Sequence, residues 1–271
     1  MEQQLAVRPQ FKGMNVLITG ASSGIGEELA CRFASMGATL ILVARSERNL
    51  LRVAEAVKTP SGTDAHIIAA DLAESGSAKR IFDETSSRDL KVDVLVNNAG
   101  QGKFGEFTSN DFPTYGHMLQ LNVGSLTELC WLYLPAMKLR NSGGIINIAS
   151  NIALVPGPYM AVYAASKSYV LKLSESLAGE LIGTNVTVSC VCPGRTKTAF
   201  GKRASGSENF YDDKEFDPPG TVASAAIDAF IRKKVFMVTG PQKFLMTNLP
   251  RLLTRQQLIE IMSGIARKLY K

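Results

Sequence analysis

Seven short runs of β-branched and apolar residues, nearly all separated by longer helical stretches, constrain this chain more than any other feature. The runs are Asn15–Thr19, Thr39–Ala44, Ala65–Ala70, Val92–Asn97, Gly144–Ala149, Asn185–Val191 and Val235–Val238. Strands that are apolar on both faces and joined by helices of ten or more residues must be covered on both sides. They therefore predict a parallel sheet in a doubly wound α/β architecture of the nucleotide-binding kind. The 271 residues, 45% of them apolar, suit one large core better than two, so a single domain over 1–271 is expected.

Composition narrows the class further. No apolar run approaches the length of a membrane span, and the opening MEQQLAVRPQ lacks the order of a secretory signal, so an intracellular, cytoplasmic protein is expected. Cys31, Cys130, Cys190 and Cys192 have no metal spacing and read as reduced core residues, with no metal site expected. The net charge of +6 comes from 30 basic against 24 acidic residues, a mild excess that a phosphate-rich ligand explains as readily as nucleic acid, and no nucleic-acid partner is expected. Charge gathers only in the tail, where Arg251, Arg255, Arg267, Lys268 and Lys271 interleave with Leu258, Ile261, Met262, Ile265 and Leu269 at helical spacing. A final helix packed on its own domain is the favoured reading there, and a basic amphipathic helix on lipid or a partner is the alternative.

The first strand runs into Thr19-Gly20-Ala21-Ser22-Ser23-Gly24-Ile25-Gly26, with a helix expected from near Glu27. Glycines at such a turn let the backbone approach a pyrophosphate, and the helix N-terminus supplies amide donors. The spacing is GxxxGxG and not the common GxGxxG. Further on, Tyr163 and Lys167 stand four apart, with Ser150 thirteen positions before the tyrosine. On a helix the pair shares a face with Val170, Leu177 and Leu181, which places an ammonium on an inward stripe beside a phenol. A neighbouring positive charge favours the phenolate, so the pair can act as a proton donor, and Ser150 can orient a carbonyl oxygen.

Thr19–Gly26, Asp71-Leu72, Asn97-Asn98-Ala99-Gly100, Asn122, Ser150, Tyr163, Lys167 and Pro193-Gly194 with Thr198 together resemble the short-chain dehydrogenases/reductases over about residues 13 to 240. The resemblance implies a single Rossmann-type domain with a seven-stranded parallel sheet and helices on both faces. It implies that Tyr163 is the general acid of reduction, that Lys167 lowers its pKa and holds the nicotinamide ribose, that Ser150 holds the substrate oxygen and that Asn122 holds a water leading from Lys167 to solvent. For the cofactor it implies contacts from Gly20, Ser22, Ser23, Gly24, Ile25, Gly26, Asp71, Leu72, Asn98, Ala99, Gly100, Pro193, Gly194, Thr196 and Thr198, besides Tyr163 and Lys167, with Asn97 partly structural.

At the end of the second strand stand Ala44 and Arg45, with no carboxylate to repel a 2′-phosphate, so NADP(H) is expected with Arg48 as a second contact. The polar stretch 195–219 reads as a mobile substrate lid, and 241–271 as a helical extension whose Phe244, Leu245, Met246 and Leu249 line an apolar cleft or cap the sheet. The extension and the stretch after Ser150 resemble the subgroup with long-chain 3-ketoacyl thioester reductases. The expected activity is NADP(H)-dependent reduction of a ketone, a 3-oxoacyl thioester or other apolar carbonyl, to a secondary alcohol. The alternatives are a catalytically silent NADP-binding regulator or scaffold, and a peripheral membrane protein acting through its basic tail. Family resemblance further implies a homodimer or homotetramer formed through two long helices, about Asp111–Leu139 and Tyr159–Leu181.

Overall fold

The computed structural model describes residues 10–61, 65–206, 216–241 and 243–270. Seven strands, β1 (Asn15–Thr19), β2 (Thr39–Ala44), β3 (Ala65–Ala69), β4 (Val94–Asn97), β5 (Gly144–Ile148), β6 (Thr187–Cys192) and β7 (Phe236–Val238), form one parallel sheet in the order β3-β2-β1-β4-β5-β6-β7. All seven apolar runs are strands, several a residue or two shorter or shifted. Backbone pairing ends where the chain turns toward its next element: Val92 lies outside β4, and β6 runs on to Cys192.

Side chains alternate across the sheet, and both faces are dry. Val16 and Ile18 pack with α1 (Gly24–Ser35), α2 (Glu47–Ser61) and α8 (Pro219–Ile231) through Leu29, Phe33, Leu50, Val53 and Ala226. Leu17, Ile41, Val43 and Ile145 point the other way, onto α3 (Ser77–Ser87), α5 (Leu126–Arg140) and α6 (Ala161–Glu180) through Ile81, Leu129 and Val170. Near-continuous apolar strands are what a two-sided parallel sheet demands. A polar seam crosses the second face: Asn97 Nδ2 donates to Asn147 Oδ1 at 2.9 Å, and Asn147 Nδ2 donates to Ser174 Oγ at 2.9 Å, tying β4 to β5 and α6.

Three expectations need correction. The long helix about Asp111–Leu139 is interrupted: α4 (Phe112–Leu119) passes into a π-helical stretch, Gln120–Ser125, before α5 begins. Cys31 is exposed on α1, whereas Cys130, Cys190 and Cys192 are buried and free. Cys31 lies two positions from both Leu29 and Phe33, about 200° around the helix from each, and so falls opposite the buried stripe. The polar stretch after β6 contains helix α7 (Ala199–Ser205), and residues 207–215 of the expected lid lie outside the described residues. The tail forms α9 (Lys243–Leu252) and α10 (Arg255–Tyr270). No helix among the described residues is long and apolar enough to cross a membrane.

Leu17 is fully buried at the centre of the sheet, flanked by Ile41 and Leu95 in register. Leu17→Ala is expected to lower unfolding free energy by about 3 kcal/mol, read from the urea midpoint at unchanged slope.

Candidate functional site

Strand order reverses between β1 and β4, the switch point at which open α/β sheets form a crevice. The turn after β1 is built for close backbone approach. Gly20 and Gly24 adopt φ of 65° and 61°, and a Cβ on Gly26 would stand 2.2 Å from the Gly20 carbonyl oxygen. Helix α1 starts at Gly24, earlier than the expected Glu27, and its N-cap Ser23 is extended and makes no side-chain capping bond. The first-turn amides are thus left for an outside acceptor, which fits a pyrophosphate.

Neighbouring side chains hold this turn from below. Thr19 Oγ1 donates to the Val96 carbonyl and accepts from the Asn98 and Ala99 amides, both at 3.0 Å. Asn98 Nδ2 donates to the carbonyls of Thr19 and Gly20 at 2.9 and 3.2 Å, so its side-chain donor is committed to the turn and not to a ligand. Arg52 of α2 donates to the Glu27 carboxylate in a two-pronged ion pair at 2.7 and 2.8 Å and reaches the Ser22 carbonyl at 3.3 Å. Sequence reasoning missed Arg52, because nothing local to α2 marks it as reaching back to the turn.

At the neighbouring strand end, Asp71 accepts from the Ala73 amide through Oδ1, while its Oδ2 lies 3.8 Å from Arg45 Nη1. Arg45 and Arg48 are both exposed there, beyond β2. Leu72 is buried, and its carbonyl accepts from Ser125 Oγ at 2.6 Å. The chain after β6 arches across the strand ends: a Cβ on Gly24 would stand 3.0 Å from the Thr198 methyl, although β4 and β5 separate β6 from β1. Within that arch the Pro193 carbonyl accepts from the Asn151 amide, Gly194 approaches Gly240 closely, Thr196 Oγ1 donates to the Gly194 carbonyl and Thr198 caps α7.

The residues expected to handle the proton converge at the ends of β4 and β5. Tyr163 and Lys167 are both buried on α6, and Lys167 Nζ donates to the Ile148 carbonyl at 2.8 Å. A Cβ on Gly100 would lie 3.2 Å from Lys167 Nζ and 3.5 Å from Asn122 Oδ1, so the chain passes close beside both groups. Burial pushes the Lys167 ammonium down to about 8, an effect partly offset by the neighbouring Cys190 and Cys192. Ser150 is partly buried just beyond β5, and its hydroxyl accepts weakly from the Ile152 amide at 3.4 Å.

Asn122 is wholly buried within the π-helical stretch, a distortion that helices commonly carry at functional sites. Its side chain accepts from the Gln101 amide at 2.9 Å and donates to the Gln101 carbonyl at 2.8 Å and to Ser166 Oγ at 3.0 Å; Ser166 in turn donates to the Tyr163 carbonyl. Both Nδ2 hydrogens are spent on these partners, which leaves Oδ1, with one bond accepted, as the side-chain atom open to the expected water. Ser166, three residues after Tyr163, was legible as a helix neighbour but not as a link to Asn122. Phe200 of α7 was not legible: its ring packs 5.5 Å from that of Tyr163 out of a segment read as loop.

The tail meets the same place. Met246, Leu258 and Met262 are buried in one apolar cluster with Tyr163, Ile152 and Val155, and Leu249, Leu253 and Phe200 pack against it. Phe244 and Leu245, expected to line a cleft or cap the sheet, are exposed. Phe244 lies about 160° around α9 from Met246, and Leu245 lies on the flank next to Leu249.

Known proteins resemble the chain as a whole. The family model for short chain dehydrogenase covers residues 14–209. The chain belongs to the short-chain dehydrogenase family. A short chain dehydrogenase of Pseudocercospora fijiensis is 31% identical over 243 residues, spanning 89% of this chain and 74% of that one. The ketoacyl reductase HetN of Nostoc is 32% identical over 231 residues, spanning 84% and 79%. Among solved structures, a short-chain dehydrogenase from Sphingobium yanoikuyae in complex with NADPH superposes with a TM-score of 0.78 at 30% identity, covering 94% of each chain. A family member from Burkholderia phymatum in complex with NAD gives 0.80 at 25% identity, covering 93% and 96%. The protein is thus an oxidoreductase of this family, whose solved relatives hold nicotinamide dinucleotides.

Burying the Lys167 ammonium has a measurable signature. Folded, Lys167 loses its proton near 8, and unfolded near 10.5, so between those values the unfolded chain binds more protons and stability rises with pH. Below 8 both states are charged and burial costs the fold about 3 kcal/mol. Lys167→Met is expected to be more stable than the wild type at neutral pH, and the gap should close as pH rises from 8 to 10.5, followed by denaturant unfolding across that range.

Proposed function

We propose that this short-chain dehydrogenase reduces an apolar ketone to a secondary alcohol with NADP(H). The observation that carries the reading is the meeting of Tyr163, Lys167, Asn122 and Gly100 at the ends of β4 and β5, opposite the glycine turn of β1. The bound dinucleotide supplies the hydride. Tyr163 gives its phenolic proton to the substrate oxygen, and in the reverse direction removes it. Lys167 keeps a positive charge beside the phenol and favours its phenolate. Ser150, on the turn after β5, holds the substrate oxygen toward Tyr163. Asn122 fixes the loop at Gln101 and, through Ser166, the start of α6, so its part is to position the helix that carries both reactive groups.

The cofactor contacts fall to the first-turn amides at Gly24, Ile25 and Gly26, to Gly20, Ser22 and Ser23 of the turn, to Asp71 and Leu72 at the adenine end, to the backbone of Asn98, Ala99 and Gly100, and to Pro193, Gly194, Thr196 and Thr198 on the nicotinamide side. Choice of NADP rests on Arg45 and Arg48. Both are exposed and no acid stands at the end of β2 itself, so a 2′-phosphate can take Arg45 from its long contact with Asp71. The Sphingobium relative's NADPH supports this choice, and the Burkholderia relative's NAD gives the contrast to test.

The substrate class follows from the wall around Tyr163. Phe200, Ile152, Val155, Met246 and Met262 make it apolar, which suits a hydrocarbon-rich ketone, and the likeness to a ketoacyl reductase favours an acyl carbonyl. The chain acts as one domain over 1–271, with 241–271 as a wall of its substrate cleft. Trp131 and Leu139 on α5 and Tyr169 on α6 are exposed, which suits a homodimer or homotetramer through these helices.

Purified protein is expected to oxidise NADPH with at least one member of a panel of 3-ketoacyl thioesters, steroid ketones and aromatic ketones. Tyr163→Phe should bind NADPH with unchanged affinity and lose turnover; a variant as active as wild type would remove Tyr163 from the chemistry. Binding of NADPH to Arg45→Ala should weaken by about tenfold or more while NADH binding holds, read by fluorescence titration. An unchanged ratio would mean that Arg45 does not choose the cofactor.

A further inference from the structure

Helix α9 has two apolar sides. Met246, Leu249 and, just past the helix end, Leu253 pack at the cluster around Tyr163, whereas Phe244 stands on the far side and Leu245 and Leu252 on the flank between, with Phe244 and Leu252 each 79% exposed. At 100° per residue, Phe244, Leu245, Asn248, Arg251 and Leu252 fall within one third of the helix circumference. An outward stripe that ends in two nearly uncovered large side chains is not needed to pack the helix, which already has its own inner stripe. On α10, Leu258, Met262 and Ala266 are buried, and Ile259 on one edge and Ile261 and Ile265 on the other remain exposed. Ile261, Ile265 and Lys268 follow the i, i+4, i+7 spacing of one helix face.

Charge shows what would cover these faces. Residues 241–271 hold six basic residues, Lys243, Arg251, Arg255, Arg267, Lys268 and Lys271, and one acid, Glu260, so nearly all of the chain's net +6 resides in its last ninth. Lys243, Arg251, Arg255, Arg267 and Lys268 are exposed, and among the described residues none of them forms an ion pair. A second copy of the chain would bring the same cations against these, whereas an anionic lipid surface complements them and accepts the apolar stripe together with the charge. We propose that α9 and α10 dock on an anionic bilayer surface, with Phe244, Leu245 and Leu252 entering the headgroup and acyl boundary and the flanking Lys and Arg side chains meeting lipid phosphates. The docked helix then separates the bilayer from the apolar cluster at Tyr163 by its own thickness.

Sedimentation with vesicles reads this docking whether or not the protein turns over a substrate. Full-length protein is expected to pellet with vesicles of equal parts phosphatidylglycerol and phosphatidylcholine and to stay in solution with phosphatidylcholine alone. Phe244→Ser with Leu252→Ser, and separately Lys243→Glu with Arg251→Glu, should each reduce the vesicle-bound fraction by about tenfold or more. All four positions are exposed, so circular dichroism and thermal melting should match the wild type. Wild type that ignores both kinds of vesicle, or that binds anionic vesicles as well after both double substitutions, would overturn the proposal. So would a stripe whose removal changes only the mass measured by light scattering, an outcome that assigns it to contact between copies.

Discussion

Lys167 places an ammonium inside packing that is otherwise apolar, and much of the site is arranged around keeping it there. The side chain reaches from α6 to the Ile148 carbonyl at the end of β5, close beside Gly100. A buried charge requires a partner and close packing to hold it. Here the partner is a backbone carbonyl, fixed by the register of β5 between β4 and β6. The sheet therefore does more than support the site. It sets the height of Lys167, and through the helix that carries Lys167 it sets Tyr163 one turn away.

The same logic explains the polar groups buried nearby. Asn122 lies in a π-helical stretch, where the extra residue per turn rotates the chain and lets a single amide satisfy both backbone groups of Gln101 while still donating to Ser166. Asn97, Asn147 and Ser174 form a second chain of hydrogen bonds below it. Such networks hold elements in one relative position, because a shift leaves a polar group unpaired in low dielectric. Tyr163 and Lys167 are thus mounted on α6, which is fastened at three points: to β5 by Lys167 and by Ser174, and by Ser166 to Asn122, which holds the loop after β4.

Why the sheet could be read from sequence and parts of the site could not has a physical cause in each case. Strands buried on both faces carry their signal in composition, so Leu40–Val43 and Val94–Val96 were unmistakable. Glycine turns and the Tyr-Lys pair carry theirs in spacing. The break at Gln120–Ser125 does not, since the apolar period runs on through it and only the partners of Asn122 require the extra residue. Helix α7 hid in a polar stretch because its buried residues are Gly201 and Ala204, which add almost no apolar signal. Arg52 and Phe200 join the site through contacts distant in sequence, and no local pattern could have marked them. The outward turn of Phe244 and Leu245 was likewise undetermined, because both sides of α9 are apolar and only the packed structure chooses one.

The two ends of the crevice differ in character, and the chain's charges are divided accordingly. At the β2 end, exposed Arg45 rests against half-buried Asp71 over a long contact, an interaction weak enough to be exchanged for another anion. At the other end the wall is made by α7, α9 and α10, whose inner residues are methionine, leucine and phenylalanine. Methionine adapts its shape to what it meets, so Met246 and Met262 let the wall in the cluster with Tyr163 conform to apolar groups of different outline. Under the function proposed above, the hydroxyls of Ser150 and Tyr163 would select the carbonyl, and the wall beneath α9 would sort the rest of the molecule by how well it fills the space.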